Sequence, residues 1–128
     1  MNKFSAAIIG LGQVGQGYDY TSNDESIILT HASALKYHSG FDLISAVDPN
    51  LNECERFEKK FSKPAYASIK ELYSAFQPDV VSISVPTNFH FEVFKEVISY
   101  KPKAVILEKP VASSEKEAKQ MVKIAKDA

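Results

Sequence analysis

The sequence predicts a single α/β domain built on a doubly wound, parallel sheet of five strands in the order 3-2-1-4-5. Two observations carry this expectation. Short apolar runs rich in Val and Ile alternate with longer segments of helical periodicity, the pattern of repeated strand–helix–strand units. A glycine series follows directly on the first apolar run, where a strand has to turn sharply into a helix. With 128 residues, 45% of them hydrophobic and 24% charged, the chain can bury one core of ordinary size.

The apolar runs Phe4–Ile9, Leu43–Val47, Val80–Val85 and Ala104–Leu107 mostly lack polar alternation, as expected of strands covered on both faces. A weaker strand at Pro64–Ala67 supplies the third position. A short helical turn is expected after Gly15, then a loop through Thr21-Ser22-Asn23-Asp24, then a helix over Ile27–Tyr37 with Ile28, Ala32 and Leu35 facing inward. Leu51–Phe61 carries Leu51, Cys54, Phe57 and Phe61 at three- and four-residue steps. Ser68–Phe76 opens on Ser68 with Glu71 three residues later, the spacing of a capping box. Phe89–Tyr100 presents Phe89, Val93, Val97 and Tyr100 on one face, and Ser113–Asp127 presents Ala118, Met121, Val122 and Ala125. Right-handed crossovers between parallel strands then give the strand order.

Composition excludes several classes of function. Fifteen basic residues against sixteen acidic ones leave a net charge of -1, and the lysines are scattered, so there is no footprint for nucleic acid. No run approaches the ~18 apolar residues of a membrane span. The apolar start, Phe4 to Leu11, is short, lacks a small-residue cleavage site and leads into the glycines, so it reads as a strand rather than a leader. A cytoplasmic protein is expected. Cys54 is the only cysteine, a thiol on a helix flank, and no Cys/His spacing suggests a metal. His31 and His38 read as solvated or packing residues.

Gly10-Leu11-Gly12-Gln13-Val14-Gly15 matches G-x-G-x-x-G in the position of a Rossmann-type phosphate loop. Gly10 permits the tight turn, Gly12 lets a pyrophosphate approach the backbone, and Gly15 allows helix to pack on strand. The loop amides, those of Gln13 and Val14 among them, and the positive helix end receive phosphate charge without a lysine. The second strand ends at Asp48, whose carboxylate can accept the adenosine ribose hydroxyls and repel a 2′-phosphate. Pro49 and Asn50 follow with no adjacent Arg, which favours NAD over NADP. Asp48-Pro49-Asn50 also suits a plain turn. Asp48 lies 33 residues beyond Gly15, against the usual ~20, and the excess falls around Tyr18–Ser26.

Two further stretches narrow the field: Val85-Pro86-Thr87-Asn88-Phe89-His90 after the fourth strand, and Glu108-Lys109-Pro110 after the fifth. With the glycine loop and Asp48, they make the whole chain resemble the N-terminal domain of the Gfo/Idh/MocA oxidoreductases, the family of glucose–fructose oxidoreductase and inositol dehydrogenase. The resemblance implies hydride transfer between NAD or NADP and a sugar, cyclitol or related alcohol carbon. It places Pro86, Thr87 and His90 along the cofactor's ribose and phosphates, Glu108 on the nicotinamide ribose, and Lys109 as the catalytic residue at the substrate hydroxyl. The chemistry of a lysine agrees: a cation stabilises a developing alkoxide, and a desolvated amine takes its proton. Lys109 also fits an ordinary surface lysine, and His90 a residue that packs the start of its helix.

The same resemblance implies a second, C-terminal domain that supplies the substrate pocket, an interface for homo-oligomers and a further histidine. Nothing after the segment Ser113–Asp127 could build it. The chain is therefore expected to be part of a longer dehydrogenase. The alternatives are a small protein that completes its site by association, a non-catalytic nucleotide-binding or redox-sensing module, and a domain for CoA or a nucleotide sugar.

Overall fold

The fold follows the alternation in the sequence, and the computed structural model describes residues 2–128. The strands are β1 (Phe4–Ile9), β2 (Phe41–Val47), β3 (Ala65–Tyr66), β4 (Val80–Ile83) and β5 (Ala104–Leu107). The helices are α1 (His31–Tyr37), α2 (Leu51–Phe61), α3 (Ile69–Ala75), α4 (His90–Ser99) and α5 (Glu115–Asp127), with a π-type turn at Gln13–Gly17 and a 3-10 turn at Thr87–Phe89. All strand pairs are parallel, and the order is β3-β2-β1-β4-β5, as the sequence predicts.

Period-two alternation along β1 divides the core between the two faces of the sheet. Ala6 and Ile8 pack with Ala32 and Leu35 of α1 and with Phe57 and Phe61 of α2. Ala7 and Ile9 pack on the other face with Leu72 of α3, Phe94 and Val97 of α4, and Met121 of α5. Small alanines at the centre of β1 let helices approach both faces. Phe57 is fully enclosed, and burying such a side chain stabilises the fold by about 1.5–3 kcal/mol.

Local chemistry sets where the helices begin. Ser68 accepts the N–H of Glu71, while the Glu71 carboxylate reaches back to the N–H of Ala67. Ser114 likewise accepts from Glu117, which starts α5 at Glu115. The expected helix over Ile27–Tyr37 is shorter than its periodicity suggests. It begins at His31 because the Thr30 side chain caps it by accepting from Ser33 N. Ile28 is exposed, and only Ala32 and Leu35 turn inward.

The expectation of strands buried on both faces fails at the edge of the sheet. In β5, Ala104 and Ile106 are exposed while Val105 and Leu107 are half-buried. Helices α4 and α5 cover one face there, and no described element covers the other. Strand β4 ends at Ile83 rather than Val85, where the chain bends toward Pro86.

Tyr73 of α3 and Tyr100 stack face to face, with ring centroids 3.9 Å apart and planes at 4°. The Tyr73 hydroxyl is buried with no hydrogen-bond partner among the described residues. Burial, helped by Tyr100, pushes the phenol up to about 12. An unsatisfied buried hydroxyl costs about 1 kcal/mol or more. Tyr73→Phe is therefore expected to raise the urea midpoint at an unchanged m-value, and a lower midpoint would mean that the hydroxyl has a partner.

Candidate functional site

Strand β1 lies between β2 and β4, so the connections leave it in opposite directions and open a crevice beyond the carboxyl ends of the strands. That crevice holds a cleft of about 970 Å³, lined by Gly10, Gly12, Gln13 and Val14 from the turn after β1, and by Asp48 after β2. Pro86 and Thr87 after β4, and Glu108 and Lys109 after β5, complete it. The topology thus brings to one place nine of the eleven residues that the sequence marks as site candidates. Gly15 and His90 stand behind the lining.

The glycine turn is held against β4. Gly10 adopts φ +100, a conformation that side chains other than glycine's rarely take. Its N–H bonds Val47 O, and its carbonyl accepts the Ser84 hydroxyl at 2.8 Å. A Cβ on Gly15 would sit 2.1 Å from the carbonyl oxygen of Gly10, whereas a Cβ on Gly12 would meet nothing within 4 Å. Gly15 therefore serves packing, and Gly12 keeps the cleft open. The π-type turn bonds Gly17 N to Gly12 O and Tyr18 N to Gln13 O. The N–H groups of Gly12, Gln13 and Val14 have no partner among the described residues. Such unpaired amides at the start of a helical turn form a cradle for an anion.

Asp48 closes the adjoining end of the cleft. Its Oδ2 accepts Leu11 N and its Oδ1 accepts Asn50 N, both at 2.8 Å. The carboxylate is thereby fixed between the glycine turn and α2, with lone pairs left on each oxygen. Glu53 lines the same end. It accepts Gln16 Nε2 at 3.0 Å and pairs with Arg56 Nη1 at 3.1 Å. The Arg56 guanidinium lies 4.2 Å from the centroid of the Tyr20 ring. The arginine nearest in sequence to Asp48 is thus already engaged.

At the opposite end, Glu108 Oε1 accepts the N–H of Lys109, and Oε2 lies 2.7 Å from His31 Nε2. The His31 hydrogen bond holds the Glu108 carboxyl below the usual carboxylate range, outweighing its partial burial. Lys109 is exposed at the rim, so this domain does not itself supply the desolvation expected of a proton-moving lysine. His90 is 1% exposed. Its Nε2 lies 2.9 Å from Val85 O and its Nδ1 3.1 Å from Val111 O. It ties together the loops that leave β4 and β5 instead of facing the cleft. His31, expected as a solvated or packing residue, instead pairs with Glu108, 77 residues away; a polar ring at the first position of a capped helix is its only local signal.

The long segment after the glycine turn is anchored from within. Asp19 is 3% exposed and accepts Leu29 N and Thr30 Oγ1, both at 2.8 Å. Lys60 of α2 donates to the carbonyls of Asp19 and Tyr20. These bonds end the loop at Thr30 and set the start of α1. Cys54, expected on a helix flank, is buried and donates to Asp48 O at 3.1 Å.

Fold and site together define a nucleotide-binding Rossmann domain. A family model described as the oxidoreductase family with NAD-binding Rossmann fold, Gfo/Idh/MocA, matches residues 4–128, and the chain belongs to this family. It is 26% identical over 121 residues to D-glucoside 3-dehydrogenase of Escherichia coli strain K12, covering 94% of this chain and 31% of that protein. It shares its fold with the WlbA dehydrogenase of Bordetella pertussis, solved with NADH and UDP-GlcNAcA, at TM-score 0.81 and 20% identity; the match covers 98% of this chain and 35% of that one. For myo-inositol 2-dehydrogenase of Lactobacillus plantarum the TM-score is 0.77 and the identity 23%, covering 98% of this chain and 34% of that one. The chain spans about a third of the length of these relatives. No described helix is long and apolar enough to cross a membrane.

Two expectations follow. Gly15→Ala should lower the melting temperature sharply and Gly12→Val leave it near that of the wild type in thermal denaturation; the opposite order would reverse their roles. Burial alone would raise the Asp19 carboxyl, but hydrogen bonds from Leu29, Thr30 and Ser33 and the charge of Lys60 hold it below its usual value. Its stabilisation is therefore complete above about pH 4, the unfolded value, and fades as the pH falls through the lower folded value. Asp19→Asn should cost about 2 kcal/mol at pH 7, with the gap from the wild type narrowing below pH 4 in urea titrations. A gap independent of pH would show that the charge is not what matters.

Proposed function

We propose that this chain is the cofactor-binding part of an NAD-dependent dehydrogenase that moves a hydride between nicotinamide and a carbinol carbon of a sugar, cyclitol or related alcohol. A second domain, outside these 128 residues, would select the substrate and carry the contacts of a homo-oligomer. The observation that carries the reading is one cleft with unpaired glycine-turn amides and the Asp48 carboxylate at one end and Glu108 and Lys109 at the other. Oxidoreductase membership and relatives named for glucosides and inositol support the reaction class. The relative solved with NADH and UDP-GlcNAcA extends the candidate substrates to nucleotide-linked sugars.

The residues present fit a dinucleotide. The amides of Gly12, Gln13 and Val14 would hold the pyrophosphate, with Gly10 and Gly15 shaping the turn behind it. Asp48 would take the adenosine ribose hydroxyls. A 2′-phosphate there would meet both Asp48 and Glu53, with Arg56 already paired to Glu53, so NAD is favoured over NADP. Pro86 and Thr87 would border the middle of the cofactor, with His90 bracing their loop from behind. Glu108 would accept the nicotinamide ribose hydroxyls. When bound, the nicotinamide ring supplies the hydride donor or acceptor. Lys109 Nζ would hold the substrate hydroxyl and take or return its proton, in a pocket dried by the second domain.

Calorimetric titration with NADH and NADPH tests the assignment. The wild type should prefer NADH, and Gly12→Val should abolish binding. Asp48→Ala should weaken NADH by about tenfold and narrow the preference. Lys109→Ala should leave NADH affinity within about twofold, since its work is on substrate. A preference unchanged in Asp48→Ala would remove Asp48 from the site.

A further inference from the structure

His31 opens α1 far in sequence from everything it touches. Its Nε2 lies 2.7 Å from Glu108 Oε2, and its Nδ1 meets the hydroxyl of Ser82 in β4. Ser82 is 1% exposed and the His31 side chain 15%, so water competes little for either bond. An ionised carboxylate only accepts, so Nε2 carries the proton. Nδ1 is paired with the Ser82 hydroxyl, which can either donate or accept. The two contacts, to Ser82 on one side and Glu108 on the other, hold the ring plane.

The effect on Glu108 is specific. One oxygen is held by His31 and the other by the N–H of Lys109. The carboxylate therefore cannot rotate away, and each oxygen keeps acceptor capacity for a hydroxyl in the cleft. The anchored segment explains how His31 reaches this position. Asp19 pins Leu29 and Thr30, Thr30 caps α1, and His31 is the first residue of that helix.

We propose that His31, oriented by Ser82, is a positioning residue that presents the Glu108 carboxylate to the nicotinamide-side ribose of a bound dinucleotide. This rests on the reading of Glu108 given above. It also gives the long segment between the glycine turn and α1 a task, which is to deliver an imidazole from one end of the sheet's switch point to the carboxylate after β5. Preorganisation of this kind raises affinity because the acceptor need not be ordered when the ligand arrives.

The test compares NADH with ADP, which carries the adenosine and pyrophosphate but no nicotinamide ribose. His31→Leu should weaken NADH by about tenfold and leave ADP within about twofold. His31→Gln, whose side-chain amide can donate to Glu108, should restore most of the NADH affinity. Equal losses for NADH and ADP in His31→Leu would make His31 a structural residue and overturn the proposal. So would unchanged NADH binding in His31→Leu alongside weakened binding in Glu108→Ala, which would leave the reading of Glu108 standing. Unchanged NADH binding in Glu108→Ala would remove Glu108 from the site and the proposal with it.

Discussion

The structure depends on one close approach, where the backbone of Gly15 passes over the carbonyl of Gly10. A Cβ on Gly15 would come to 2.1 Å of that oxygen, and one on Gly10 to 2.8 Å of the Ser84 backbone just after β4. Only a chain without side chains at these two points can leave β1, turn and start back while β4 runs alongside. That contact sets the direction of the turn, and so aims the amides of Gly12, Gln13 and Val14 into the crevice. It also fixes Leu11 N where the Asp48 carboxylate can take it. The sheet supplies the rest, since parallel strands deliver all their exit loops to one edge.

Long-range polar bonds complete the two ends of the cleft. At one end Asp48 links the glycine turn to α2, and Glu53 gathers Gln16 and Arg56. At the other, Ser82, His31 and Glu108 join three elements that are adjacent only in space. Asp19 and Lys60 brace the segment between them. Both ends thus present carboxylates whose orientation is fixed by neighbours before any ligand arrives. Such an arrangement suits a ligand rich in hydroxyls with phosphates at its centre.

The elements that declare themselves in the sequence are those whose signals are local. Apolar runs gave the strands, Ser68 with Glu71 gave a helix start, and spacing after β1 gave the glycine turn. Asp48 was marked by its place at the end of the second strand, whereas Glu108 and Lys109 were marked only by the resemblance of Glu108-Lys109-Pro110 to the family motif; strand ends in this architecture all open on one crevice. What escaped is set by contacts over long separations. The start of α1 depends on Asp19, eleven residues before the Thr30 cap, and on Lys60, 41 residues beyond Asp19, so periodicity alone extended the helix to Ile27. His31 carries no local mark of its 77-residue link to Glu108. The half-bare β5 reflects its place at the sheet edge, which an apolar run does not reveal.

Amide-resolved NMR titration of this chain with NADH tests the central claim most directly. Binding across the switch point predicts shifts at Gly12, Gln13 and Val14, at Leu11 through its bond to Asp48, and at Lys109 through its bond to Glu108. The amides of α5 and of the far ends of the strands should stay still. Saturable shifts confined to surfaces away from the glycine turn would contradict the account.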